Sequence, residues 1–494
     1  EQGDDGLRAL VQVAEPARSL TFVKTSSVRR DGWLEGDAAV EGNRTPPRAE
    51  PSTRFTLEIP TDAREYDRTY PAVTRVGTGL VVYGPALSAE EMQAEQRVVA
   101  AAGEDVVLPS DATLEGGYIY LGPAEQVVHK DGYTVVGRDT VPAWLGDTVE
   151  GAAQAAFPFF ASSLGALVTT PVVAMTTDAP GPMGFHGDVT PNGFMSLRFH
   201  GEVWQYEDAR ATQSITMFLR HEVFHLWNGH VERGTAPWLH EGGAEYAALV
   251  ASATGGGMPQ DVALRQLSRR AAACRTAHGD RPFAQLEPRG SVVYDCGVLV
   301  QWLADLSARS RSNGKEHVLT LWASMLDEGP GTEYGLEDFR ALAGPLALGL
   351  MEGEGFPALV EALRDHGVEV RVDPEPRQDR EDLLTHLMDS TCTSRRRGFW
   401  TEEDFVRLDT DSGCGVLSDK PEITEVEGHP VVAEPSRALT AAAKRCRANE
   451  PVRATLRGGR TLKVPCTGAP KQKPGFRIVS APALTLSAEM ATGG

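Results

Sequence analysis

Apolar positions recur with two different periods along this chain, and the change of period divides it. Up to about residue 140 the apolar runs are short and broken by Gly and Pro. Ser19–Lys24, Gly79–Tyr83, Asp105–Leu108 and Tyr118–Leu121 read as strands, and Arg44–Arg48 as a loop. From Val141 onward helical spacing takes over. Trp144–Leu164 predicts a helix that Pro158 should kink or restart, and Val168–Met175 a strand. Val298–Leu306, His317–Leu326 and Ala358–Leu363 are further amphipathic helical segments. No catalytic constellation stands out before residue 140.

The strongest helical pattern carries the chemistry. Ile215, Met217, Phe218, Leu219, Val223, Phe224, Leu226 and Trp227 mark a largely buried helix, yet it also holds His221, Glu222 and His225. Burying two imidazoles and a carboxylate is costly unless they have partners. Four residues apart, His221 and His225 lie one turn apart on one face, close enough to share a metal ion. Glu222 stands beside them, within reach of a water on that metal. This is the H-E-x-x-H arrangement of zinc metallopeptidases, whose glutamate is the general base.

Catalytic zinc takes three protein ligands and keeps one position for water. Fifteen residues separate His225 from Glu241, the expected third ligand, which opens a second helical pattern, Trp238–Val250. Glu245, one turn further on, falls on the same face and either accepts the free ring N–H of a ligating histidine or is a solvated acid of the helix surface. The expectation is one Zn2+ per chain. His186, His200, His230 and His240 read as surface or loop residues, and His240 is excluded as a ligand because it should face another side of its helix.

Composition narrows the partners. The chain has 494 residues, 41% hydrophobic and 23% charged, with a net charge of −20. That length predicts several domains, and that charge disfavours nucleic acid or an anionic membrane. No apolar run reaches the ~18 residues of a transmembrane segment. The six cysteines fall as neighbours along the chain, Cys274 with Cys296, Cys392 with Cys414 and Cys446 with Cys466. None has Cys-x-x-Cys spacing. Sequential disulfides in an oxidising compartment are expected, with buried free thiols in a cytosolic protein as the alternative. The implied location is extracytoplasmic, a signal sequence having been removed.

His221-Glu-Val-Phe-His-Leu-Trp-Asn228 together with Trp238-Leu-His-Glu-Gly-Gly-Ala-Glu-Tyr246 resembles the gluzincin peptidases. The His-x-Trp-Asn ending is similar to the glycyl aminopeptidase family. That resemblance implies a thermolysin-like catalytic domain between a β-rich domain and a PDZ domain. The Trp-Leu-x-Glu-Gly block resembles the aminopeptidase N family, whose pattern is H-E-x-x-H-x18-E. The spacer here is three residues shorter, which argues against a close relative. Tyr294 in Ser291–Val300 matches that family's Tyr-x-Lys-Gly tyrosine, with Cys296 in place of the lysine. The resemblance implies that Tyr294 steadies the developing oxyanion. The alternative is a core tyrosine at a strand-to-helix junction.

The same family reads a free substrate amine with Gly-x-Met-Glu-Asn, and Pro180–Phe199 has no Glu-Asn. Exopeptidase activity is therefore unsupported. Gly193–Phe199 is expected as an edge strand for an extended substrate, and Asp188 as a loop acid or a partner for a substrate amine.

Near residue 373 the sequence turns to Asp-Pro-Glu-Pro, a linker. Beyond it Gly398–Trp400, Ile423–Val431, a helix at Ser436–Cys446 and a hairpin of Val452–Leu456 with Thr461–Val464 resemble a PDZ-like domain. The expected fold class is α+β multidomain. It comprises a β-rich N-terminal domain (1–140), a thermolysin-like, mostly helical catalytic domain with a small edge-strand sheet (141–372), a linker and helix (373–390) and a PDZ-like domain (391–494). The expected function is zinc-dependent hydrolysis of peptide or protein substrates, the PDZ-like domain either taking a peptide ligand at its edge or packing on the catalytic domain. A catalytically silent gluzincin-fold binding protein is the alternative. A zinc hydrolase of another chemistry, such as epoxide hydrolysis, is a third reading.

Overall fold

The computed structural model describes the chain apart from residues 1, 4–5, 26–27, 62–70, 93–95, 97, 100–104, 179–183, 230–231, 233–235, 280–289, 327–328, 331, 353–354, 373–375, 394–396, 471–474 and 487–494. His230 and the Asp-Pro-Glu start of the expected linker lie outside the described residues. The chain forms two compact units. One takes residues 1–259, 301–345 and 483–494; the other takes 260–300 and 346–482.

The first unit opens with β1 (Gln2–Gly3), β2 (Gly6–Ala17), β3 (Leu34–Glu35), β4 (Ala38–Ala39) and β5 (Ser52–Pro60), in the order β1-β2-β5-β3-β4. A second sheet, β6-β7-β9-β8, follows from β6 (Val73–Val76), β7 (Gly79–Tyr83), β8 (Asp105–Leu108) and β9 (Tyr118–Pro123). Phe22, Trp33, Phe55, Tyr118 and Tyr120 belong to one core with the aliphatic residues of both sheets. Ser19–Lys24 is not the expected strand. It makes only single bridges, Thr21 to Arg44 and Phe22 to Ala89, because its backbone bonds are divided between two segments, residues 43–45 and 88–90, and the side chains of Thr45 and Glu91.

A third sheet comprises β10 (Val127–His129), β11 (Thr134–Val136), β12 (Val172–Asp178), β13 (Gly184–Val189) and β14 (Phe194–His200), ordered β10-β11-β12-β14-β13. The parallel pairs β11·β12 and β12·β14 lie inside it, and β13 closes one edge antiparallel to β14. The expected edge strand at 193–199 is thus corrected. β14 is hydrogen-bonded on both sides and buried from Phe194 to Phe199, while β13 is the half-exposed edge. The connection between β11 and β12 is α1 (Ala143–Leu164), which runs on through Pro158. Pro158 and Gln154, whose carbonyl bond it removes, are both exposed, so water can satisfy that carbonyl.

The helical part follows as α2 (Ala209–Asn228), α3 (Pro237–Thr254), α4 (Gln260–His278), α5 (Ser291–Ser312), α6 (Val318–Met325), α7 (Leu336–Met351) and α8 (Gly355–Asp365). Of these, α2, α3, α6, the second half of α5 and the first part of α7 belong to the first unit. Asp305 of α5 is a buried junction there. It accepts from the Tyr246 hydroxyl of α3 at 2.7 Å, the Val318 amide of α6 at 2.7 Å and the Arg309 guanidinium at 3.0 Å.

The second unit adds β15 (Glu369–Arg371), α9 (Pro376–Asp389), β16 (Arg397–Thr401), β17 (Val406–Thr410), β18 (Glu422–Val426), β19 (His429–Pro430), α10 (Pro435–Arg447), β20 (Val452–Leu456), β21 (Thr461–Val464) and β22 (Arg477–Ser480). An antiparallel sheet β16-β17-β18-β20-β21 shares a core with α9 and α10, and β15 pairs with β22. Burial alternates along β17 and β20, as one covered face requires. All three expected disulfides form, each within this unit. Among the described residues no helix is long and apolar enough to cross a membrane.

Candidate metal centre

The helix α2 is held from several sides. Ile215, Leu219, Val223, Phe224 and Trp227 are fully buried. Phe160 of α1 meets Phe224 edge-on at 5.2 Å, and Trp322 of α6 meets it from elsewhere at 5.4 Å. Trp227 donates to the Gly165 carbonyl at 2.9 Å. Against α3, Trp322 packs so closely on Gly243 that a Cβ there would stand 2.3 Å from its ring, so glycine is required. These contacts fix α2 and α3 before any metal is considered.

On that frame His221, His225 and Glu241 converge. The two Nε2 atoms are 3.0 Å apart, and a Glu241 carboxylate oxygen is 3.2 Å from His221 Nε2 and 3.6 Å from His225 Nε2. A tetrahedral ion with bonds of about 2.0–2.2 Å holds its donors about 3.3–3.5 Å apart. The donor set suits a zinc ion, and its separations of 3.0, 3.2 and 3.6 Å bracket that spacing, so small side-chain adjustments bring all three into range. Among the described residues one other group of donors is as tight, His386 with Cys446 and Cys466, but those cysteines form a disulfide and offer no thiolate.

The far nitrogen of each imidazole is also held. His221 Nδ1 faces Glu245 at 3.2 Å, and His225 Nδ1 faces the Asn228 side-chain oxygen at 2.8 Å. Asn228 is fully buried and its amide N–H donates to the His240 carbonyl at 3.1 Å, so its oxygen must be the acceptor for His225. Both histidines therefore carry a proton on Nδ1 and turn Nε2 toward Glu241. His240 is not a surface residue. Its ring stacks on His225 at 4.3 Å, and Nδ1 lies 3.1 Å from the Asn228 carbonyl and 3.0 Å from the Tyr334 hydroxyl. The Tyr334 hydroxyl donates to the same carbonyl at 3.0 Å. The end of α2 is thereby tied to the start of α3, one residue from Glu241.

Charge follows burial. Burial alone would depress the His221 pKa, but hydrogen bonds to Glu241 and Glu245 outweigh it and push it up to about 10. Burial opposes ionisation of Glu241, yet the hydrogen bonds from His221 and His225 hold it well below the carboxylate range. Burial, assisted by the neighbouring His225, lowers His240 to about 3, so it stays neutral. Glu222 is raised by burial, an effect that His221 and His225 partly offset.

Glu222 sits under the edge strand. A Cβ on Gly187 of β13 would stand 2.7 Å from its carboxyl carbon and 2.5 Å from the Phe218 ring. Asp188, expected as a loop acid, instead lies in β13 and pairs with the buried Arg198 of β14 at 2.5 Å. Tyr294 stands in the other compact unit, half-buried on the first turn of α5, where Cys296 is bridged to Cys274. Sequence reasoning missed Tyr334 and gave Asn228 no role. Asn228 had a readable signal, three residues after His225 and hence on its face.

No family model and no curated protein matches the chain. Among solved structures, an aminopeptidase N family protein from Idiomarina loihiensis superposes with a TM-score of 0.56 at 14% identity, covering 98% of this chain and 96% of that one. An M1 zinc metallopeptidase from Deinococcus radiodurans gives 0.41 at 13% identity, covering 72% and 89% of the two chains. Yeast LTA4 hydrolase gives 0.37 at 10%, covering 77% and 67%. Scores this low carry no argument. The first match, spanning nearly all of both chains, shows a fold shared with an aminopeptidase N family protein.

Proposed function

We propose that this chain is a zinc-dependent peptidase, and one observation carries the reading. Two imidazole nitrogens and one carboxylate converge at 3.0–3.6 Å on rigid buried helices, with a second carboxylate next to them in sequence. In this reading His221, His225 and Glu241 hold the ion, and Glu245 and Asn228 orient the two histidines. Bound there, zinc supplies the Lewis acidity that polarises a peptide carbonyl and makes water nucleophilic near neutral pH.

Glu222 is the general base. Its raised pKa makes it a better proton acceptor than an exposed glutamate, and it returns the proton to the leaving amine. The edge strand β13 offers main-chain groups to an extended substrate. Tyr294 is the proposed oxyanion donor, on the strength of the sequence resemblance. Asp188 is already neutralised by Arg198, which weighs against its receiving a free substrate amine. The domain reading of 1–140, 141–372 and 391–494 belongs to the same proposal. The antiparallel sheet packed on α10 supports a PDZ-like C-terminal domain able to take a peptide, and the three disulfides support an extracytoplasmic setting.

The test is Glu222→Gln. The variant should retain zinc and lose peptide cleavage; zinc retained with cleavage at the wild-type rate would remove Glu222 from the mechanism.

A further inference from the structure

The second compact unit contains a cleft of about 500 Å³ between α4, the start of α9 and β22. Its charge is unlike that of the rest of the chain. Among the described residues four arginines line it, Arg265 and Arg269 from α4, Arg377 from α9 and Arg477 from β22, against one acid, Glu381. The whole protein carries a net charge of −20, so a cationic concavity runs against the composition.

Its walls are fixed. The Ser268 hydroxyl accepts from the Ile478 amide at 3.0 Å, and Arg275 donates to the Gly475 carbonyl at 2.5 Å, binding β22 and the residues before it to α4. Phe476 and Ile478 are nearly fully buried. Two of the cations have local partners, Arg265 with Asp261 and Arg377 with Glu381, both one helical turn away. Arg269 has no hydrogen bond or ion pair with any described residue. Its guanidinium is only partly buried, and its pKa is lowered by that burial and by Arg377, Arg270 and Arg265, with Glu381 offsetting part of the shift. An anion placed among these guanidiniums would relieve that repulsion.

We infer that this cleft binds a carboxylate-rich peptide segment, Arg269 and Arg377 forming forked hydrogen bonds to its acidic side chains. Guanidinium forks match carboxylate geometry in a way that a lysine patch does not. The apolar part of the lining, Val262, Ala272 and Pro376, suits the methylenes and backbone of a peptide better than an inorganic ion. Nothing in this inference depends on zinc.

The experiment titrates full-length protein with acetyl-tetraglutamate amide by calorimetry, with peptide integrity checked by mass. One-site binding that weakens with added salt is expected. The double variant Arg269→Ala, Arg377→Ala should lower affinity by about tenfold or more, the loss of at least one charge-assisted hydrogen bond. Arg269→Lys, which keeps the charge, should bind better than Arg269→Ala. Arg340→Ala, an exposed α7 arginine paired with Glu337, should bind like wild type. Equal affinity in the double variant overturns the inference. So does equal binding of acetyl-tetraglutamine amide, or binding of inorganic phosphate without binding of the peptide.

Discussion

The Asn228 side-chain oxygen lies 2.8 Å from Nδ1 of His225 and, because its own N–H is spent on the His240 carbonyl, it can only accept. That bond sets the tautomer and the rotation of His225. Losing such a partner typically costs about 10–100-fold in metal affinity. Asn228→Ala should weaken zinc binding within that range, measured by competition with a chelator. Asn228→Asp, which keeps an acceptor, should recover much of it. Unchanged affinity in the alanine variant would contradict the tautomer argument.

The contact of Gly187 with Glu222 gives a separate prediction. A methyl at residue 187 must displace either the edge strand or the Glu222 carboxylate, since it would stand 2.7 Å from the carboxyl carbon. Misplacing a reacting group by about 1 Å can cost about a hundredfold in rate. Gly187→Ala should therefore cut kcat by roughly that factor while the zinc content is unchanged. Activity and metal falling together would mean that the substitution disturbs α2 itself.

Away from the metal centre, His317 predicts a pH effect on stability. It is buried at the start of α6, and burial lowers its pKa; Asp305 opposes the shift and Arg309 adds to it. The unfolded chain takes up this proton near pH ~6.5, the folded chain only at lower pH. Below that point the unfolded state binds more protons, so stability falls with falling pH and the penalty is absent above it. His317→Asn should flatten this acid-side decline, followed as the urea midpoint between about pH 7 and pH 5. The same slope in both proteins would show that His317 is not its source.

Much of the site's layout was legible because it is local. His221 and His225 share a helix face by spacing alone, and the start of the next helical pattern located Glu241. The disulfides too could be read, as neighbours along the chain. What escaped was set by tertiary pairing. Gly184–Val189, with two glycines, a histidine and an aspartate, reads as loop, yet it becomes the edge strand by pairing with β14 from Gly184 to Val189. Residues 194–199 carry a strand pattern, but nothing in that pattern says that both of their edges are occupied. Tyr334 meets Asn228 across 106 residues, a distance no periodicity spans. His240 was turned away from the site by helical geometry within α3, but it reaches His225 because α2 and α3 lie side by side.

The central claim is that His221, His225 and Glu241 hold a zinc ion, and the most direct measurement is the metal content of purified wild-type protein beside His221→Ala. The account predicts about one zinc per chain in the wild type and a loss of it in the variant. A wild-type protein that stays metal-free after incubation with zinc, or a variant that keeps its full zinc content, would contradict it.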